Sequence, residues 1–232
     1  MPVTLAAALQ NVRDLIDEST PQFWSNAQLT EWINQGCSDL ARRAELLWKI
    51  ESLNVQSGVQ DFPAPADFLR FHRLEFVPST GTFVYPLTFG GYVEMDSVWG
   101  VYQSFPAAWP TWWTLKGGSG TPGQVQLTIR VFPVPAQPGT LNIYYYRQAE
   151  AAVNQTDFID TIGGWEDLVY EYAVYKAKRK DNDPTWKDSF SFYEQRIADI
   201  LRTTGTFQDQ ANSFSTGQAQ WPPWAFGDSD WM

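Results

Sequence analysis

The hydrophobic period of this sequence changes twice along the chain, and that change most constrains its fold. Toward both ends apolar residues recur at three- and four-residue steps, the spacing of one helix face. Through the middle third they alternate instead, the spacing of a half-buried strand. Helices from the two ends must then bury their stripes against one another, with a β-unit between them.

The first stretch, residues 4–17, places Leu5, Leu9, Val12 and Ile16 on one face, and Thr4 can cap it. Thr20-Pro21 breaks it. A second helix is predicted from Ser25 to about Ala44. Ser25 and Gln28 have the spacing of a capping box, and Trp24 and Leu29 that of a hydrophobic staple. Leu29, Trp32, Ile33, Cys37, Leu40 and Ala44 form its apolar stripe. From about Glu51 to Arg147, Pro and Gly punctuate short β-prone runs. Val125, Leu127, Ile129 and Val131 alternate with polar residues, as do Leu141, Ile143 and Tyr145. Weaker strand signals lie at 52–57, 71–77, 82–88 and 111–116. Helical spacing returns from about Gly164 to Lys180, and again after Asp183-Pro184, where Asp can cap and Pro suits the first helical position. That last helix should end near Thr203. Residues 204–232 are polar and aperiodic yet carry six large aromatics, a pattern that orders against a partner.

The expected fold is therefore α+β. A four-helix bundle comes from the N- and C-terminal parts (1–49 and 151–203). An antiparallel β-sandwich or barrel of about six strands is inserted at 50–150, and 204–232 forms an extended C-terminal arm.

Charge and composition exclude several functions. A net charge of -10 argues against tight wrapping of nucleic acid or an anionic membrane, but permits DNA to slide past an acidic wall. No apolar run is long enough to span a bilayer, and Met1-Pro2-Val3-Thr4 lacks the basic start of a signal peptide, so synthesis in a cytoplasm is expected. One cysteine, Cys37, allows no disulfide framework and reads as a buried inert thiol. The single histidine, His72, has no partner set for a triad or metal cluster, and reads as structural or a surface residue. Asp157, Asp160, Glu166 and Asp167 read as acids favoured near the start of the third helix. Asp228 and Asp230 could at most hold a cation weakly. Gly117-Gly118-Ser119-Gly120 lacks the Lys-Ser/Thr of a phosphate loop and reads as a hairpin tip. No catalytic residue, cofactor or metal is expected. What stands out is 12 Trp in 232 residues, a residue type enriched at interfaces. Trp109, Trp112 and Trp113 sit in a Pro-rich loop; Phe207, Phe214, Trp221, Trp224, Phe226 and Trp231 sit in the arm.

The order of segments resembles the phage head-to-tail connector, or tail adaptor, proteins over about residues 5–203. Leu9-Gln10-Asn11-Val12-Arg13-Asp14-Leu15-Ile16 looks like the family's first helix. Trp24-Ser25-Asn26-Ala27-Gln28-Leu29-Thr30-Glu31-Trp32-Ile33-Asn34-Gln35 resembles its second. Phe62-Pro63-Ala64-Pro65-Ala66-Asp67-Phe68-Leu69-Arg70 is similar to its entry into the β-region. Val131-Phe132-Pro133-Val134-Pro135 with Tyr144-Tyr145-Tyr146-Arg147 looks like its closing strands, and Tyr170-Glu171-Tyr172-Ala173-Val174-Tyr175 like its third helix. The loop near 105–113 and the last segment lie outside the resemblance.

It implies a structural virion protein of the neck, not an enzyme. Such a protein forms a homo-oligomeric ring, commonly of twelve copies, between portal and tail around the DNA ejection channel. The arm aromatics would bind the portal protein. The three loop tryptophans would face a neighbouring copy or the tail nozzle. A different reading takes those loop tryptophans as sugar-stacking platforms of a glycan-binding or tail-fibre-associated module.

Overall fold

The computed structural model describes residues 2–18, 20, 23–81, 83–91, 108–117 and 126–215, with side chains as far as Thr203. Four helices form the ends: α1 (Leu5–Leu15), α2 (Asn26–Ala44), α3 (Glu166–Lys180) and α4 (Trp186–Ser215). Between α2 and α3 lie seven strands: β1 (Trp48–Val55), β2 (Asp61–Pro63), β3 (Phe68–Pro78), β4 (Tyr85–Phe89), β5 (Trp112–Lys116), β6 (Thr128–Phe132) and β7 (Gly139–Arg147).

The helices start where local chemistry dictates. Thr4 accepts a hydrogen bond from the Ala7 N–H, and Ser25 with Gln28 makes both halves of the capping box. The predicted stripe of α2 is buried from Leu29 to Ala44. It meets Leu168, Val169 and Ala173 of α3 and Tyr193, Ile197 and Ile200 of α4 in one core, which also takes Leu5, Leu9 and Val12 of α1. Gly36 allows the close crossing of α2 and α3: a Cβ there would sit 3.3 Å from Tyr172 and Val169. The basic end of α3 does more than complement the helix dipole. Lys180 lies over the rings of Trp24 and Trp32, and Arg179 over Trp186.

Two expectations change here. The last helix does not stop near Thr203 but continues to Ser215, so the first part of the presumed arm is helical. Once a helix is nucleated on a core, each further residue adds one backbone bond for one residue fixed, so a polar stretch can be carried along. Of the early acids, Glu166 and Asp167 do lie in the first turn of α3. Asp157 and Asp160 precede it: Asp157 accepts from the Val153 and Asn154 N–H groups, and Asp160 binds Arg147.

The strands form one sheet in the order β1-β7-β3-β4-β5-β6-β2. It is mixed, not purely antiparallel as the alternation implied, because β4 and β5 run parallel. Residues 90–111 separate them, longer than the dozen or so that a parallel crossover needs. The sheet curls: Val55 from one outer strand and Phe62 from the other share a core with Leu74, Ile129, Ile143 and Tyr145.

The helical core and the sheet core are separate clusters. They meet through polar contacts at the two chain crossings. Glu45, in the left-handed conformation at the end of α2, accepts from Arg70 at 2.7 Å. Arg147 donates its N–H to the Leu47 carbonyl and its guanidinium to Asp160 at 2.8 Å. Burial alone would raise the Asp160 pKa, but Arg147 and the Glu150 N–H together hold it below the ordinary carboxylate value. Hydrogen bonds from Arg43 and Arg130 do the same for Glu194 and Asp61. A carboxylate with a depressed folded-state pKa stabilises the fold fully above its unfolded value and loses that contribution as pH falls through the folded one. The urea midpoint should therefore stay level from pH 7 to about 5 and drop below about pH 4. A midpoint unchanged down to pH 3 would show that these pairs carry no net stability.

Candidate assembly interface

The outer face of the β1-β7-β3 part of the sheet is aromatic. On β1 the alternation leaves Trp48, Ile50, Ser52 and Asn54 facing out. Opposite Trp48 stands Tyr146, and opposite Ile50 stands Tyr144. Trp48 is 44% exposed. It packs edge-on against His72 at 4.9 Å and Tyr146 at 5.7 Å. Arg73 lies over Tyr144 at 4.9 Å, and Tyr144 donates to Glu75 at 2.7 Å. Partial burial among these rings, then the charges of Arg73 and Arg70, hold His72 below its usual pKa, so it is neutral at pH 7. It belongs to a packed surface ladder, as its reading as a structural or surface residue anticipated. Among the described residues no group of His, Cys, Asp and Glu could hold a metal ion, and no helix is long and apolar enough to cross a membrane. Burial first, then the charge of Asp160, pushes the Cys37 thiol up to about 12, which keeps it unreactive at neutral pH.

The structure separates the three loop tryptophans. Trp113 is only 5% exposed; its ring packs on Phe71 and Phe89 in the sheet core, so it is committed to the fold and offers no face to a partner. Consecutive strand residues point to opposite faces, which is why Trp112 and Trp113 part company. Trp112 is half-buried. Trp109 is 39% exposed and stacks on Tyr85 at 5.6 Å. Phe207 and Phe214 fall within α4. Trp221, Trp224, Phe226 and Trp231 lie outside the described residues, as do Asp228, Asp230 and Gly118 to Gly120.

The sequence reading missed the Trp48 face. Half of its signal was present: Trp48-Lys49-Ile50 alternates, whereas Tyr144-Tyr145-Tyr146 is uniform and does not say which rings face out. Only the pairing of β1 with β7 puts the two on one surface.

What such a surface can do is hold another surface, and helices from both ends of the chain with a β-part between them are what the resemblance to phage head-to-tail adaptors implied. That resemblance is borne out. The chain belongs to the SU10 adaptor protein family, whose model matches residues 3–221 and so takes in the aromatic loop and part of the last segment. No curated protein matches it. Among solved structures, a chain in the neck of an empty GTA particle, computed with C6 symmetry, is similar. That chain is 12% identical, with 77% of this chain and 83% of its own covered and a TM-score of 0.27.

Proposed function

We propose that this protein is a structural subunit of a phage neck: a head-to-tail adaptor that forms a ring between portal and tail and lines the DNA channel. Membership in the adaptor family carries the reading, and the exposed aromatic sheet face supports it. The ring, of twelve copies as the resemblance implies, acts by contact and not by chemistry. Hydrophobic burial at subunit edges holds it, and attachment around a ring is strengthened by avidity. The helical part docks on the portal as a bundle, while the sheet, with Trp109 and Trp112, faces neighbouring copies or the tail nozzle. A wall built from a chain of charge -10 lets duplex DNA pass without tight binding. The protein is made in the host cytoplasm and resides in the virion. The glycan-binding reading loses one of its three platforms with the burial of Trp113.

The arm, with Phe207, Phe214, Trp221, Trp224, Phe226 and Trp231, is the portal-binding element of this reading. Replacing Trp221 and Trp224 together by Ala should leave the urea midpoint unchanged and weaken capture on purified portals by about tenfold or more, as loss of two aromatic anchors does. Undiminished capture would remove the arm from the model.

A further inference from the structure

The Trp48 face is bordered by cations whose carboxylate partners are tucked behind them. The guanidinium groups of Arg70 and Arg73 are well exposed, whereas their partners Glu45 and Glu75 are largely covered. The face therefore presents apolar rings and positive heads on a chain that is acidic overall. Nucleic acid is a poor occupant. Ile50, exposed at the middle of the face, has nothing to offer a phosphate or a base, and the chain as a whole is acidic.

A complementary surface exists elsewhere on the same chain. Val153 and Phe158 are 77% and 58% exposed, yet they do not sit on a loose loop. Asp157 accepts from the Val153 and Asn154 N–H groups at 2.9 and 2.7 Å. The carbonyls of Gln155 and Asp157 accept from Ala6 and Leu5 at the start of α1, and Ile159 donates to Val3. The turn is thus held ready, and a preordered apolar knob loses little entropy on docking. Residues 150–167 contain no Lys or Arg, and although Asp160 and Asp167 are paired with Arg147 and Arg196, Glu150, Asp157 and Glu166 leave an acidic surround for a partner to meet.

We propose that the Trp48 face of one copy seats the 153–158 turn of the next. Apolar rings meet Val153 and Phe158, and Arg70 and Arg73 meet the acidic surround. The two surfaces are different patches of one chain, each fixed to its own core, so the contact is head-to-tail, the type that generates rings. The inference rests on the ring reading and names the contact that would close it.

The test uses the full chain with purified portals present. Cys37 is buried and silent, so wild type serves as the background. An Ile50→Cys, Val153→Cys double variant treated with a short bis-maleimide should give a ladder of covalent oligomers, while either single variant stays monomeric. Trp48→Glu and Phe158→Glu should each lower the assembled fraction about tenfold or more with far-UV circular dichroism unchanged. A covalent dimer from Ile50→Cys alone would mean a symmetric contact and overturn the proposal. So would full assembly of Trp48→Glu, or a Trp48→Glu chain that assembles normally but loses binding to duplex DNA. Wild type that remains monomeric with and without portals would instead bring down the ring reading itself, and this contact with it.

Discussion

An Arg13→Ala chain is expected to lose about 3–5 kcal/mol of folding stability, the range seen when one partner of a buried ion pair is removed. Arg13 is among the few buried charged residues in the helical core. Its guanidinium donates to Glu18 at 3.0 Å, to the Trp24 carbonyl at 2.9 Å and to Asn26 at 2.7 Å. One side chain thereby ties the end of α1 to the turn that starts α2. Truncation leaves the largely covered Glu18 carboxylate without its cation, leaves the Trp24 carbonyl facing a void, and frees Trp24 from its edge-on contact with Trp32 at 5.2 Å. Against a typical total of about 5–15 kcal/mol, that is a fifth of the stability or more. Arg13→Lys should recover only part of it, because an ammonium cannot reach three acceptors in a fork. Urea unfolding followed by circular dichroism reads both. A loss under about 1 kcal/mol, the worth of a surface pair, would mean that water already serves this cluster.

Arg13 also shows what a sequence does and does not disclose. The helix that carries it was readable, because a cap such as Thr4 and a stripe such as Leu5, Leu9 and Val12 are local facts, set within one or two turns. So were the strands over Ile129 and Val131 and over Leu141 to Tyr145, where alternation and flanking Pro-Gly turns agree. Two of the three partners of Arg13 are eleven and thirteen residues away, and nothing in the spacing singles it out from Arg42. Strand order is less local still. β1 and β7 are separated by five other strands in sequence, yet their pairing creates the aromatic face. The parallel step from β4 to β5 has no periodic signature at all. β2, only Asp61–Pro63, is too short to show one. For the tryptophans, composition announced that some would meet partners, but only strand register distinguishes Trp113, turned inward, from Trp48, turned out.

Gly139→Val should be the most damaging single change in the sheet. Gly139 opens β7, between Val55 of β1 and Pro78 of β3. A Cβ there would lie 2.5 Å from the Val77 carbonyl oxygen and 2.7 Å from the Phe76 ring. The obstacle on one side is backbone and on the other a fully buried ring, so neither can step aside cheaply. We expect a loss of about 3 kcal/mol or more, the upper end for overpacking. The consequence reaches beyond stability, because β7 carries both faces of the sheet. Leu141, Ile143 and Tyr145 fill the inner core while Tyr144 and Tyr146 build the outer surface. A strand displaced by one residue exchanges those sets. Gly139→Val should thus lower the urea midpoint and abolish assembly together, whereas Trp48→Glu should abolish assembly with the midpoint kept. If Gly139→Val lowered stability by the expected amount and still assembled fully, the outer surface of β7 would have no part in joining one copy to another.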